Sequence, residues 1–234
     1  MEWKNFTLIG LGLIGGSIAK AIKKKYPQAK ISVLDKDKHS IDMAISEGVV
    51  EKALQSIDEI DRNTDLLFLC SPVEYNLRFL RDLTGKLSSH TLLTDVGSTK
   101  SSIMKEAEAL GLSSRFCGGH PMAGSESSGY QASDYLLLEN AYYLLTPGQG
   151  FPTESIEKMK SFLSSIGSIP FVMSPEEHDK TVACVSHLPH LIAASLVKLL
   201  KEEDEKGCMK KLAAGGFKDI SRIASSSPIM WQQI

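Results

Sequence analysis

The sequence has no excess of either charge sign. Its 26 lysines and arginines balance 28 aspartates and glutamates, which leaves a net charge of −2 over 234 residues. A protein that binds nucleic acid or an anionic membrane needs a concentrated basic face, and the tightest basic run is three lysines at residues 23–25. Those lysines lie late in a predicted helix, where cations suit the negative end of the helix dipole. We therefore expect no nucleic-acid partner.

Paired cysteines and a long apolar run are also missing. The four cysteines contain no CxxC pair, which fits a reducing compartment better than a disulfide framework or a zinc site. They are Cys70, Cys117, Cys184 and Cys208. The uncharged stretch at residues 5–19 is too short to cross a bilayer, and Glu2 before it is unlike the basic start of a signal peptide. We expect a cytoplasmic protein with no bound metal and no membrane partner.

Short β-type runs alternate with helical stretches through the first 170 or so residues. Apolar strands separated by helices indicate an α/β fold with a doubly wound, mainly parallel sheet. Strands are predicted at residues 5–9, 30–35, 65–70, 91–95, 116–119, 141–146 and 169–173. Helices are predicted at residues 13–25, 40–47, 74–87, 101–110 and 153–166, with Gly111 as the C-cap of the fourth.

The pattern changes after Ser174-Pro175. Residues 176–205 show helical periodicity almost throughout, interrupted at Pro189, and residues 210–224 continue it without a β-type run. We therefore predict two domains. Residues 1–173 form a dinucleotide-binding type of α/β domain, and residues 174–234 form an all-helical domain.

A glycine motif follows the first predicted strand and opens the first helix. Gly10 permits a tight turn, Gly12 lets the backbone approach a pyrophosphate, and Gly15 lets helix and strand pack closely. Asp35 ends the next strand, twenty residues after Gly15. This combination is the dinucleotide fingerprint of a Rossmann domain. A structural glycine turn without a cofactor is the alternative.

The acidic residue indicates which dinucleotide is bound. Asp35 would accept hydrogen bonds from the adenine-ribose hydroxyls and repel a 2′-phosphate, so NAD is favoured over NADP, although Lys36 and Lys38 soften that preference. The segments CSPV at 70–73 and DVGS at 95–98 also fall at carboxyl ends of strands, where the cofactor crevice lies. The predicted cofactor-binding residues are Gly10, Gly12, Leu13, Ile14, Gly15, Asp35, Ser71, Pro72 and Val73.

The segment GGHPMAGSE at 118–126 is the most unusual of the chain. It is predicted to hold His120 on a short loop just past a strand. Oxidising an alcohol requires a base that works near neutral pH, and imidazole suits that role. A purely structural histidine is the alternative.

Three residues of the helical region are further candidates. His187 and His190 are three apart and share a helix face. That spacing could hold a metal, but there is no HExxH pattern, so a substrate-facing polar face is favoured over a metal site or a core pair. Arg222, predicted on a helix, could clamp a carboxylate with two hydrogen bonds, although considered alone it fits a surface residue better.

Six segments together resemble the prephenate dehydrogenase family of tyrosine biosynthesis, in family order and over nearly the whole chain. They are GLGLIGGS at 10–17, SPV at 71–73, DVGSTK at 95–100, GGHPMAGSESSG at 118–129, SHLPHLIA at 186–193 and AGGFKDISRIASSSPIMW at 214–231. The resemblance implies oxidative decarboxylation of prephenate to 4-hydroxyphenylpyruvate with reduction of NAD.

The resemblance also implies roles for individual residues. His120 matches the catalytic histidine that hydrogen-bonds the C4 hydroxyl of the substrate, and Ser98 matches the serine that assists it. Arg222 matches the arginine that binds a substrate carboxylate. The residues that match the substrate side-chain end are His190, Gly215 and Trp231, and Glu126 matches an acidic residue near the pocket entrance.

The family's helical domain implies a homodimer. The sequence stops at Ile234, soon after PIMW, whereas relatives carry further helices and sometimes a regulatory domain, so we expect a truncated chain. Arogenate is a second possible substrate, although Glu126 between two serines favours prephenate. A β-hydroxyacid dehydrogenase and a pyrroline-carboxylate reductase would share the glycine turn, but neither explains GGHPMAG together with HLPH. A non-catalytic NAD-binding sensor would share it too, but would have no need for His120, Ser98 and Arg222 together.

Overall fold

The computed structural model describes residues 3–225 and divides the chain into two compact units, Met1–His178 and Asp179–Ile234. In the first unit eight strands form one sheet in the order β3-β2-β1-β4-β5-β6-β7-β8. Their bounds are β1 Asn5–Ile9, β2 Lys30–Leu34, β3 Lys52–Ala53, β4 Leu66–Leu69, β5 Leu92–Asp95, β6 Phe116–Pro121, β7 Tyr142–Pro147 and β8 Ile169–Val172. All neighbouring strands run parallel except β6 and β7. The predicted doubly wound, mainly parallel fold is confirmed.

Five helices of this unit connect the strands: α1 Leu13–Lys25, α2 Lys38–Ser46, α3 Val73–Leu83, α4 Ser101–Ala109 and α5 Thr153–Ser165. α2 begins earlier than predicted because the Asp37 side chain caps it and accepts a hydrogen bond from the His39 N–H, at 3.1 Å. α3 ends earlier than predicted, just before Gly85, whose positive φ of 78° is incompatible with a continuing helix. Gly111 has the left-handed backbone expected beside the end of α4, with φ of 69°.

Two apolar clusters form the core of this unit. Successive strand residues point to opposite faces of a sheet, and accordingly Phe68 belongs to one cluster while Leu67 and Leu69 belong to the other. α1 and α5 pack in the first cluster, and α3 and α4 pack in the second. The sheet is therefore covered on both faces, which leaves the carboxyl ends of its parallel strands as the open edge for a site.

The helical region has no strand within residues 179–225. Its elements are α6 Pro175–Val182, a π-helical turn Ala183–His187, α7 Leu188–Glu203, α8 Cys208–Leu212, α9 Gly215–Ser221 and a 3₁₀ turn Arg222–Ser225. The predicted interruption at Pro189 is wrong in its position. Pro189 lies in the first turn of α7, and the regular α-helix is broken by the wider π turn just before it. α7 packs against α9 and the final 3₁₀ turn.

The run Pro175–Glu203 is long and apolar enough, by length and composition, to cross a membrane. Most of it is exposed, including Val185, Leu191 and Leu199, each more than half exposed. A helix that covers its apolar face with another protein surface has the same length and composition. One helix of this kind is therefore weak evidence for a membrane span.

Candidate active site

The glycine turn between β1 and α1 is fixed by close packing at two of its three glycines. Gly10 has φ of 104°, and a Cβ there would lie 2.7 Å from the carbonyl carbon of Cys70. A Cβ on Gly15 would lie 2.3 Å from the carbonyl oxygen of Gly10. Gly12 differs, because its φ of −84° suits any residue and a Cβ there would meet no atom within 4 Å. Packing within the protein therefore requires Gly10 and Gly15 but leaves room at Gly12.

The open space beside Gly12 is part of a cleft of about 560 Å³ at the carboxyl ends of β1, β2 and β4. Five of the predicted cofactor-binding residues line it: Gly10, Gly12, Asp35, Ser71 and Pro72. The other predicted residues adjoin the cleft without lining it, with Leu13, Ile14 and Gly15 in the first turn of α1 and Val73 at the start of α3. Sequence reasoning missed the lining residues Gln55, Tyr75 and Phe79, which follow no dinucleotide motif.

Asp35 is held in the cleft by backbone groups. Its Oδ2 accepts a hydrogen bond from the Leu11 N–H at 2.5 Å, and its Oδ1 accepts one from the Asp37 N–H at 2.8 Å. The carboxylate is therefore oriented by the glycine turn on one side and by the start of α2 on the other. Lys36 lines the same cleft.

Cys70 lines the cleft but is not set up as a nucleophile. Burial raises the pKa of its thiol, and the nearby carboxylates of Asp95 and Asp35 raise it further. The reactive form of cysteine is the thiolate. Cys70 therefore stays a protonated thiol at neutral pH and contributes shape and apolar surface to the cleft.

A buried carboxylate connects the segments that carry Ser98 and His120. Asp95, fully buried at the end of β5, accepts a hydrogen bond from the Gly97 N–H at 2.8 Å and one from the Gly119 N–H at 3.0 Å. Its Oδ2 also accepts a hydrogen bond from the fully buried Lys100. One side chain thus fixes the residue before Ser98 and the residue before His120. Sequence reasoning missed this role, although an aspartate that ends an apolar strand was a signal for it.

His120 lies within β6, and its predicted place on a loop past the strand is wrong. The antiparallel pairing with β7 extends β6 to Pro121 and sets His120 opposite Leu144. The glycines before it serve the packing of this strand. A Cβ on Gly119 would lie 2.5 Å from the carbonyl oxygen of Asp95, and a Cβ on Gly118 would lie 2.3 Å from the Thr146 hydroxyl oxygen.

A second histidine contacts His120. His120 Nδ1 and His178 Nε2 are 2.9 Å apart, and His178 is fully buried. His178 lies near the start of α6, whose N-terminus is capped reciprocally. The Glu177 N–H donates to the Ser174 hydroxyl oxygen, and the Ser174 N–H donates to the Glu177 carboxylate. Sequence reasoning missed His178 because it follows the predicted domain boundary and belongs to no motif. The SPEE segment at 174–177, which has the pattern of a capping box, was the available signal for its helix.

The structure places the remaining predicted residues in other elements of the chain. Glu126 is exposed in the segment after β6. In the second unit His190 lies in α7, Gly215 begins α9, and Arg222 is exposed at the start of the final 3₁₀ turn, just past the helix on which it was predicted. Trp231 lies outside the described residues. Within residues 3–225 no group of three or more His, Cys, Asp or Glu side chains is arranged to hold a metal ion.

Two family models match the chain in sequence. The model described as "Prephenate dehydrogenase, nucleotide-binding domain" matches residues 18–172, and the one described as "Prephenate dehydrogenase, dimerization domain" matches residues 174–234. The prephenate dehydrogenase of Bacillus subtilis is 44% identical over 97% of this chain, which spans 62% of that protein's length. The cyclohexadienyl dehydrogenase of Zymomonas mobilis is 32% identical over 99% of this chain and 80% of its own length.

Two solved structures are also similar to this chain. Prephenate dehydrogenase from Aquifex aeolicus, in complex with hydroxyphenyl propionate and NAD⁺, is 34% identical, with a TM-score of 0.91 over 99% of this chain and 82% of that chain. Arogenate dehydrogenase from Synechocystis is 29% identical, with a TM-score of 0.83 over 97% of this chain and 81% of that chain.

Proposed function

The chain belongs to the prephenate dehydrogenase family, and we propose that it catalyses the NAD-dependent oxidative decarboxylation of prephenate to 4-hydroxyphenylpyruvate. The observation that carries the proposal is the Asp95 carboxylate, which accepts hydrogen bonds from the N–H groups of Gly97 and Gly119 and so links the segment of Ser98 to the strand of His120. A sensor that only bound a dinucleotide would need the cleft but not this arrangement.

The cleft fits a dinucleotide. Gly12 has room for a ligand that no protein atom fills, and the N-terminus of α1, with the backbone N–H groups of Leu13, Ile14 and Gly15, suits a pyrophosphate. Asp35 would accept hydrogen bonds from ribose hydroxyls, which favours NAD over NADP. When bound, NAD supplies the acceptor for a hydride. The Aquifex relative was solved with NAD⁺, which supports the assignment.

Gly12→Ala tests the cofactor site. The added methyl group meets no protein atom, so the thermal stability should stay unchanged, whereas the dissociation constant of NADH should rise by about 10- to 100-fold, the scale of a steric conflict with a ligand. NADH fluorescence measures the binding. Gly15→Ala is the contrasting variant, because its Cβ would collide with backbone and lower the melting temperature. Unchanged NADH affinity in Gly12→Ala would argue against pyrophosphate binding at this turn.

The proposed chemistry assigns proton transfer to His120. As the hydride leaves the substrate C4, the His120 Nε2 takes the proton of the C4 hydroxyl, and Ser98 holds that hydroxyl by a hydrogen bond. The ring carboxylate then leaves as carbon dioxide, and its bonding electron pair makes the ring aromatic. The proton returns to the phenolate oxygen. Formation of the aromatic ring makes the sequence strongly favourable.

The residues of the second unit are proposed to bind the substrate. Arg222 would clamp a substrate carboxylate through two parallel hydrogen bonds. The residues proposed for the side-chain end are His190, Gly215 and Trp231, with Glu126 of the first unit near the pocket entrance. Their support is the family resemblance of the segments at 186–193 and 214–231, which fall in the matched dimerization domain.

Prephenate and arogenate differ only in a keto or an amino group on the side chain, and relatives named for each are similar to this chain. The decisive experiment follows NADH formation with each substrate, and with NAD and NADP in turn. We expect turnover with prephenate and NAD. Turnover of arogenate alone would reassign the substrate, and no turnover of either would refute the dehydrogenase proposal.

We also propose a homodimer. The exposed apolar residues Val185, Leu191 and Leu199 need a covering surface, and the matched dimerization domain supports a second copy of this chain as that surface. Sedimentation at several concentrations should show a dimer, and Leu191→Glu should favour the monomer. A monomer at every concentration would contradict the proposal.

The domain boundary and the location are proposals as well. We place the boundary between residues 173 and 174, where the two family matches meet and the Ser174 cap begins α6. The compact units divide slightly later, after His178, which contacts β6 through His120. All four cysteines are free thiols, which supports a reducing, cytoplasmic location. Fractionation of cells should recover the protein in the cytosol.

A further inference from the structure

The contact between His120 and His178 involves one defined nitrogen of each ring. His120 Nδ1 lies 2.9 Å from His178 Nε2, with the ring planes inclined by 56°. His178 has no exposed surface, and its helix is fixed at the N-terminus by the reciprocal cap between Ser174 and Glu177, which immediately precedes it. The ring that faces His120 is therefore buried close to a capped helix end.

A hydrogen bond between two neutral imidazoles needs an N–H donor on one ring and an unprotonated nitrogen on the other. A neutral histidine carries a single ring proton, so the partner of one nitrogen decides the state of the other. If His120 donates from Nδ1, its Nε2 carries no proton and can accept one. If His178 donates instead, the proton of neutral His120 is on Nε2, which then cannot act as a base. Only the first arrangement serves the proposed reaction.

We propose that His178 is a positioning residue that accepts a hydrogen bond from His120 Nδ1–H and so keeps Nε2 of His120 as the proton acceptor. This inference rests on the proposed function of His120. The same bond becomes stronger when His120 gains its proton, because the donor is then a cation. His178 therefore orients the ring before the reaction and stabilises the charge that develops during it, while the substrate and the cofactor are bound by other groups.

Two variants test this kinetically. His178→Leu removes the acceptor and keeps an apolar side chain in the buried position. It should lower kcat by about 10- to 100-fold, the scale of a lost hydrogen bond to a charged group, while KM for prephenate and the NADH dissociation constant stay within about twofold. His178→Gln can place its amide oxygen near the position of Nε2 and should recover most of the loss. Equal kcat in His178→Leu and the unchanged protein, or no recovery in His178→Gln, would overturn the proposal.

Nitrogen NMR tests the tautomer without turnover. In protein labelled with ¹⁵N-histidine, the His120 signals are identified by their loss in His120→Asn. We expect His120 to have a protonated Nδ1 and an unprotonated Nε2 at neutral pH in the unchanged protein. A proton on Nε2 would overturn the proposal, even if His178→Leu failed to fold. If the protein turned over neither prephenate nor arogenate but showed the expected tautomer, the proposed function would fail and the hydrogen-bond assignment would stand.

Discussion

The two units of the chain bury their apolar side chains to very different extents. The unit Met1–His178 contains both core clusters, whereas within residues 179–225 only Val182 and Ala193 are buried hydrophobics. Eight large apolar side chains in that second range are exposed instead. The first unit therefore has a core of its own, and the second needs a further surface to cover its helices.

The residues proposed for proton transfer and for substrate binding also differ in how firmly the structure holds them. The proposed base, His120, lies on an inner strand of the sheet. Backbone pairing with β7, the hydrogen bond from the Gly119 N–H to Asp95 and the contact with His178 hold it there. The proposed carboxylate clamp, Arg222, is exposed on a short turn of the second unit. The proposed reacting group thus lies in the first unit, and most of the proposed substrate-binding residues lie in the second. This division can be tested residue by residue.

The largest effect is expected at the proposed base, His120. His120→Asn keeps an amide near the position of Nδ1, which can still bond to His178, and removes only the nitrogen proposed to take the proton. We expect kcat with prephenate to fall by roughly 10²- to 10⁴-fold, the contribution of a general base. Substrate and NADH binding should change little. A kcat close to that of the unchanged protein would remove His120 from the mechanism.

The buried carboxylate should matter for stability as well as alignment. Asp95→Asn removes the carboxylate charge beside the fully buried Lys100 ammonium, which should lower the free energy of unfolding by about 3–5 kcal/mol in chemical denaturation. The double variant Asp95→Asn with Lys100→Met removes both charges and should recover much of that loss. Its kcat should stay reduced, because one amide oxygen cannot serve both the Gly97 and the Gly119 N–H groups as two carboxylate oxygens do.

A double variant no more stable than Asp95→Asn would contradict the ion-pair explanation. A double variant with full kcat would show that Asp95 does not align Ser98 and His120.

Local patterns predicted the first unit well. The bounds of β1 and α1 agree with the prediction because apolar periodicity and the glycine turn mark them within a few residues. The two-residue strand β3 at Lys52–Ala53 is too short to have such a pattern. The extension of β6 through His120 depends on β7, more than twenty residues later, and so could not be read from the local sequence.

The site was predictable only where a residue belongs to a motif. The glycine turn and Asp35 are recognisable by spacing, and the structure places Gly10, Gly12 and Asp35 on one cleft. The Asp95 bridge and the His178 contact join residues through tertiary packing, which no spacing along the chain reveals. The roles of the second unit rest on resemblance.

Arg222→Ala tests the substrate-binding role proposed for the second unit. A lost two-point hydrogen bond to a carboxylate should raise KM for prephenate by roughly 10- to 100-fold, with a much smaller change in kcat. Steady-state kinetics measures both constants. Arg222→Lys keeps the positive charge without the planar guanidinium, so its KM for prephenate should fall between that of the unchanged protein and that of Arg222→Ala. If Arg222→Ala lowered kcat and left KM unchanged, the proposed division between the units would be wrong.

The smallest effect is expected at Asp204, a partly exposed carboxylate that joins the end of α7 to α8. Asp204 accepts hydrogen bonds from the backbone N–H groups of Lys210 and Met209, each at 2.9 Å, and these bonds lower its pKa. Because the folded-state pKa is depressed, the stabilisation is fully present above the ordinary aspartate value of about 3.9 and is lost as pH falls through the folded-state value.

Amide hydrogen exchange can follow this loss locally. The protection of the Met209 and Lys210 amides, corrected for intrinsic exchange, should fall on acidification by less than about tenfold, the scale of one exposed cap. The amides of β4, in the core of the first unit, should stay protected over the same range. Asp204→Asn keeps an acceptor that does not titrate, and its protection should not depend on pH. Loss of protection in β4 before α8 would reverse the order of stability that burial predicts for the two units.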